Sequence, residues 1–92
     1  MALVTFLKDP DALLDYTIDW TTWLDGDTID TSNWTLPSGI TEDSSGMDGT
    51  SSKATVWLSG GDAGTVYTVV NTIVTAAGRT DERSLDIKVA ER

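Results

Sequence analysis

The sequence predicts an all-β protein, an antiparallel β-sandwich of about seven short strands. Three observations carry that expectation. Apolar, β-branched and aromatic residues gather in short runs, several of them with every second residue apolar. Clusters of Gly, Pro, Asp and Ser separate the runs. No stretch shows the three-to-four-residue apolar spacing of an amphipathic helix.

Residues 3–7 form a short β-compatible run, expected at a sheet edge. Pro10 ends it, because proline has no amide to donate and turns Asp9 away from helix. The organising strand spans residues 13–20. Leu14, Tyr16, Ile18 and Trp20 share one face, and Asp15, Thr17 and Asp19 share the other. Residues 21–24 read as a corner and Asp25-Gly26-Asp27 as a turn. Short strands are expected at residues 28–30 and 34–36, split by the polar Thr31-Ser32-Asn33.

Pro37-Ser38-Gly39 is a turn, and Ile40-Thr41 can begin another strand. Residues 42–52 are rich in Ser and Gly with only Met47 apolar, which predicts a mobile loop. Residues 53–58 return to alternation, with Ala54, Val56 and Leu58 on one face and Trp57 on the other. Residues 65–76 are the longest β-branched run and read as a central strand. After a hairpin loop at 77–82, Leu85, Ile87 and Val89 alternate inward, and residues 90–92 are expected to fray. The expected core is Leu14, Tyr16, Ile18, Trp20, Trp34, Tyr67, Val69, Leu85, Ile87 and Val89.

The 92 residues suit one domain spanning residues 1–92. The net charge of −9 lies in the first half: residues 1–48 hold ten acids and one base, whereas residues 49–92 hold five of each. That balance speaks against a nucleic-acid partner, whose phosphates need Lys and Arg, and leaves an acidic face able to steer a basic partner. No segment approaches a membrane span of about 20 apolar residues, so no membrane partner is expected. Residues 1–7 are too short for a signal sequence, so export by such a leader is not expected. Without Cys and His, the chain lacks thiolate chemistry, the commonest neutral-pH base and the commonest transition-metal ligand. We expect no catalytic residues, no cofactor and no metal. Asp25, Asp27 and Asp30 could in principle hold calcium, but the loop lacks the pattern and closing Glu of a calcium hand, and Asp and Gly are ordinary turn residues.

Asp62-Ala63-Gly64-Thr65-Val66-Tyr67-Thr68-Val69 resembles the immunoglobulin signature Asp-x-Gly-x-Tyr-x-Cys, with one extra residue and Val69 for cysteine. There the tyrosine hydroxyl bonds nearby backbone, so Tyr67 is expected to pin the loop at 59–64. This sharpens the fold class to an Ig-like or fibronectin-like sandwich. Trp57 faces away from its apolar neighbours, and with Trp23 it is a candidate interface residue. An exposed indole also suits stacking on a glycan, the alternative function.

A longer resemblance covers almost the whole chain. Lys8-Asp9-Pro10-Asp11, Leu14-Asp15-Tyr16, Asp19-Trp20, Trp23-Leu24 and Gly26-Asp27-Thr28-Ile29 open it. Ala54-Thr55-Val56-Trp57-Leu58-Ser59-Gly60-Gly61, Tyr67-Thr68-Val69, Ala76-Ala77-Gly78-Arg79-Thr80-Asp81 and Arg83-Ser84 continue it. Together they resemble small Ig-like virion structural proteins of tailed phages and prophages, of the fiber–tail adaptor type. The resemblance implies a non-enzymatic tail or tail-fiber component made in the bacterial host cytoplasm and located in the virion. It also implies contacts with other phage structural proteins and repetition of the chain as a homo-oligomer.

Overall fold

In the computed structural model, which describes residues 2–47, 49 and 51–90, seven strands and one helical turn make two facing sheets. The strands are β1 (Ala2–Lys8), β2 (Leu14–Asp19), β3 (Ile29–Thr35), β4 (Ile40–Met47), β5 (Lys53–Gly60), β6 (Val66–Thr75) and β7 (Thr80–Val89), with α1 (Thr21–Leu24) after β2. The larger sheet runs β1-β7-β6-β3 and the smaller one β2-β5-β4.

The alternation along β2 does what side-chain geometry requires. Tyr16, Ile18 and, just past the strand, Trp20 are buried, while Asp15, Thr17 and Asp19 are exposed. β5 answers with Ala54, Val56 and Leu58, each directly opposite an inward residue of β2. From the larger sheet come Tyr67, Val69 and Ile73 of β6 and Leu85, Ile87 and Val89 of β7. Phe6, Leu14, Trp23, Trp34 and Leu36 are partly buried against this core. Each fully buried Leu, Ile or Val contributes roughly 1.5–3 kcal/mol.

Tyr67 forms the corner between the sheets: its Oη accepts the backbone N–H of Asp62 at 2.9 Å. Packing leaves no room beside it. A Cβ on Gly61, at φ +96°, would lie 2.6 Å from Val89 Cγ2, and one on Gly39, at φ +104°, would lie 3.0 Å from the Tyr67 ring.

Several expectations change. β1 is at an edge, but it pairs parallel to β7, so the sandwich is not wholly antiparallel. Residues 21–24 are a single helical turn rather than an irregular corner. β3 is continuous, with a bulge between Ile29 and Thr31: Thr31, Asn33 and Thr35 are exposed, while the half-buried Ser32 is bonded by the buried Asn71 amide. β4 occupies much of the expected loop. It is exposed at every position after Ile40, yet its backbone pairs with β5 up to Met47 opposite Ala54. Asp48 and Thr50, within that expected loop, and Glu91 and Arg92 of the expected fray lie outside the described residues. β6 is central, but its outer face is only half-covered at Val70 and Val74.

Replacing Leu58 or Ile87 by Ala should lower the unfolding free energy by about 2–5 kcal/mol. Val66, 51% exposed, should tolerate Thr within about 0.5 kcal/mol. Denaturant titrations of the three variants check both expectations.

Candidate functional site

Two arginine–tryptophan contacts organise one end of the sandwich. Asp25 closes α1 in the left-handed conformation (φ 48°, ψ 54°). Arg79 adds donors to the carbonyls at the helix end: Nη2 donates to Leu24 O at 2.7 Å, which also accepts the Asp27 N–H at 3.1 Å, and Nη1 donates to Trp23 O at 3.4 Å. The same guanidinium stacks 4.3 Å from the Trp23 ring centre and pairs with Asp27 at 3.2 Å. Asp27 Oδ1 also accepts the N–H groups of Thr28 at 2.8 Å and Ala77 at 3.3 Å. Its carboxyl is held below the usual carboxylate range, first by the Thr75 hydroxyl, then by these amides and Arg79. These bonds tie Asp27 to both α1 and the turn after β6.

Arg83 stacks on Trp20 at 4.3 Å. Beneath it, Trp20 Nε1 donates to Asn71 Oδ1 at 3.0 Å, and Asn71 Nδ2 donates to Ser32 Oγ at 2.9 Å and Asn33 O at 3.2 Å. Trp34 differs: its Nε1 is buried with no hydrogen-bond partner among the described residues.

Of the two proposed contact tryptophans, Trp23 is half-buried. It meets Trp20 edge-on with ring centres 5.4 Å apart and carries Arg79. Trp57 is 40% exposed on the outer face of β2-β5-β4, opposite Asp15 on one side and Ser44 on the other. Thr55 and Ser59 flank it along β5, and Ser59 Oγ donates to Asp43 Oδ1 at 3.1 Å. Trp57 is thus the better placed of the two for an outside partner. Leu14 and Trp34, expected in the core, are partly buried; the other expected core residues are buried.

Among the described residues no group of three or more His, Cys, Asp or Glu is placed to hold a metal. A shallow depression of about 170 Å³ is lined by Thr68, Val70, Glu82, Arg83 and Ser84. It is smaller than the roughly 300–1,000 Å³ of ordinary ligand pockets.

Sequence reading missed Lys8, Asn71, Arg79 and Arg83. Their one visible signal was chemical isolation: Asn71 is the amide inside an apolar run, and Lys8 is the lone base of the first half. Lys8 is buried, with Nζ donating to Gly60 O at 2.7 Å and Asp9 O at 2.9 Å, so β1 is tied to the end of β5. Burial lowers its pKa, and Asp9, Asp11 and Asp43 oppose that shift.

Two facing sheets with a tyrosine corner and a buried tryptophan plug define an Ig-like β-sandwich. A solved structure shares the fold: the PKD domain from the KIAA 1837 protein, at 19% identity and TM-score 0.53, with 100% of this chain and 83% of that chain covered. No curated protein matches the chain significantly. Residues 8–88 match the family described as Podophage GP4 fiber-tail adaptor protein gp77, and the chain belongs to that family.

Trp20→Phe orphans the buried Asn71 carbonyl and should cost about 1–3 kcal/mol more than Trp34→Phe, which removes a donor already without a partner. Parallel denaturant melts measure the difference. For Asp27, whose folded pKa is depressed, the stabilising contribution is present above its unfolded pKa of about 3.9 and is lost as pH falls through the folded value. The stability gap between wild type and Asp27→Asn should therefore be full at pH 6 and close progressively below about pH 4 in melts across a pH series.

Proposed function

We propose that this chain is a non-enzymatic virion structural protein that joins tail or tail-fiber components through protein–protein contacts. The family match over residues 8–88 carries the reading, and the sandwich supports it as a rigid spacer. In this reading all 92 residues act as one β-sandwich unit, made in host cytoplasm and repeated around the tail axis. The outer face bearing Trp57 is the contact surface, since large exposed aromatics anchor interfaces.

The test is co-expression with the products of the neighbouring tail and fiber genes, followed by affinity capture. Capture of a tail or fiber component is expected for wild type. Trp57→Ala should reduce it about tenfold or more, a loss of at least about 1.4 kcal/mol, while the melting midpoint stays close to wild type. Failure of wild type to capture any of these products overturns the adaptor reading. The same exposed ring supports a second reading, glycan stacking. Binding to a glycan array that disappears with Trp57→Ala would favour it, and no binding to any glycan would remove it.

A further inference from the structure

Among the described residues two tryptophans, Trp23 and Trp20, carry an arginine stacked on the ring, and the exposed Trp57 does not. Arg79 lies 4.3 Å from the Trp23 centre with Asp27 at 3.2 Å, and Arg83 lies 4.3 Å from the Trp20 centre. Among the described residues no cation stacks on Trp57. The carboxylates are nevertheless in place. Asp15 is the direct cross-strand neighbour of Trp57, a spacing of about 4.5–5.5 Å between Cβ atoms. Asp43 reaches the same face through Ser59, two residues along β5 from Trp57.

The charge of the surrounding strands is mainly negative. Asp15 and Asp19 lie on β2, and Glu42 and Asp43 lie on β4. Lys53 is the one base of β2, β4 and β5, and it stands opposite Asp19. It is four residues from Trp57 along β5, or about 13 Å.

We propose that the outer face of β2-β5-β4 around Trp57 receives an arginine side chain presented by a partner protein. The guanidinium stacks on the indole and pairs with Asp15, as Arg79 does on Trp23 with Asp27. Arginine fits better than lysine, because its planar group stacks and makes two parallel bonds to one carboxylate. Such a contact is strongest when the partner excludes water from the ring. The inference rests on the adaptor reading for its partner and names that partner's chemistry.

The probe is a short blocked peptide, Gly-Arg-Thr-Arg-Gly, titrated into the isotope-labelled full chain and followed by NMR. Its controls replace arginine with lysine or with uncharged citrulline. The arginine peptide should produce saturable shifts at the Trp57 indole and at the amides of Asp15, Thr55 and Ser59. The indoles of Trp20 and Trp23 should hold still, because their arginines are already present. The citrulline peptide, the Asp15→Asn/Asp43→Asn double variant and Trp57→Ala should each weaken binding about tenfold or more. Raising salt from about 50 to 300 mM should weaken it further. Equal binding of citrulline, shifts elsewhere, or no saturable shift at Trp57 at millimolar peptide overturns the proposal.

Capture of the neighbouring gene products separates this from the adaptor reading. Capture lost with Trp57→Ala but unchanged in the double carboxamide variant leaves the adaptor standing and removes the arginine. Peptide binding at Trp57 without capture of any tail or fiber product removes the adaptor and keeps the surface.

Discussion

The hydrogen bond from Trp20 Nε1 to Asn71 Oδ1 joins the two sheets inside the sandwich. Trp20 directly succeeds β2 of the smaller sheet, and Asn71 lies in the middle of β6 of the larger one. Both are fully buried. An unpaired amide or indole there would be costly, so the geometry of this pair is tightly set. The Asn71 amide also binds Ser32 and Asn33, which brings edge strand β3 into the same register. Satisfied buried networks of this kind select one packing among several apolar alternatives.

The placement of Trp20 sets the path of the chain through α1. Leu24 N bonds back to Trp20 O at 2.9 Å, closing α1 and directing Leu24 into the core. Trp23 then turns edge-on to Trp20, and its outer surface lies beneath the β6–β7 hairpin, where Arg79 closes over it. One guanidinium serves as helix cap, ion-pair partner and ring cover. At the other side, Lys8 points inward from β1, a device that makes an edge strand a poor template for pairing with another chain. Four of the six basic residues are absorbed or positioned by contacts of this sort or by strand pairing opposite an acid, which leaves the outer face of the smaller sheet acidic.

That face has the mechanical qualities of a contact site. Trp57 stands on β5, the central strand of its sheet, held on both sides by β2 and β4. A ring carried by a paired central strand is better fixed than one on a loop, which reduces the entropy lost when a partner docks. This chain of the fiber-tail adaptor family thus combines a paired, two-sheet body with a surface ring that lies outside the core.

The sequence by itself determined the strands whose burial is one-sided. β2 and β7 were legible because each residue's face is set by its own position in the chain, and Tyr67 because its corner is local. The family string was legible for the same reason: it is a run of uncommon residues. Tertiary structure alone decided β4, whose Ser, Glu and Gly look like a loop and become a strand only through pairing with β5. It also decided that β1 runs parallel to β7, since strand direction belongs to a pair and not to either partner. The roles of Asn71, Arg79 and Arg83 were hidden on the same ground. A polar residue in an apolar run or a turn shows its chemistry locally, but its partners lie 38 to 64 positions away and appear only once the sheets face each other.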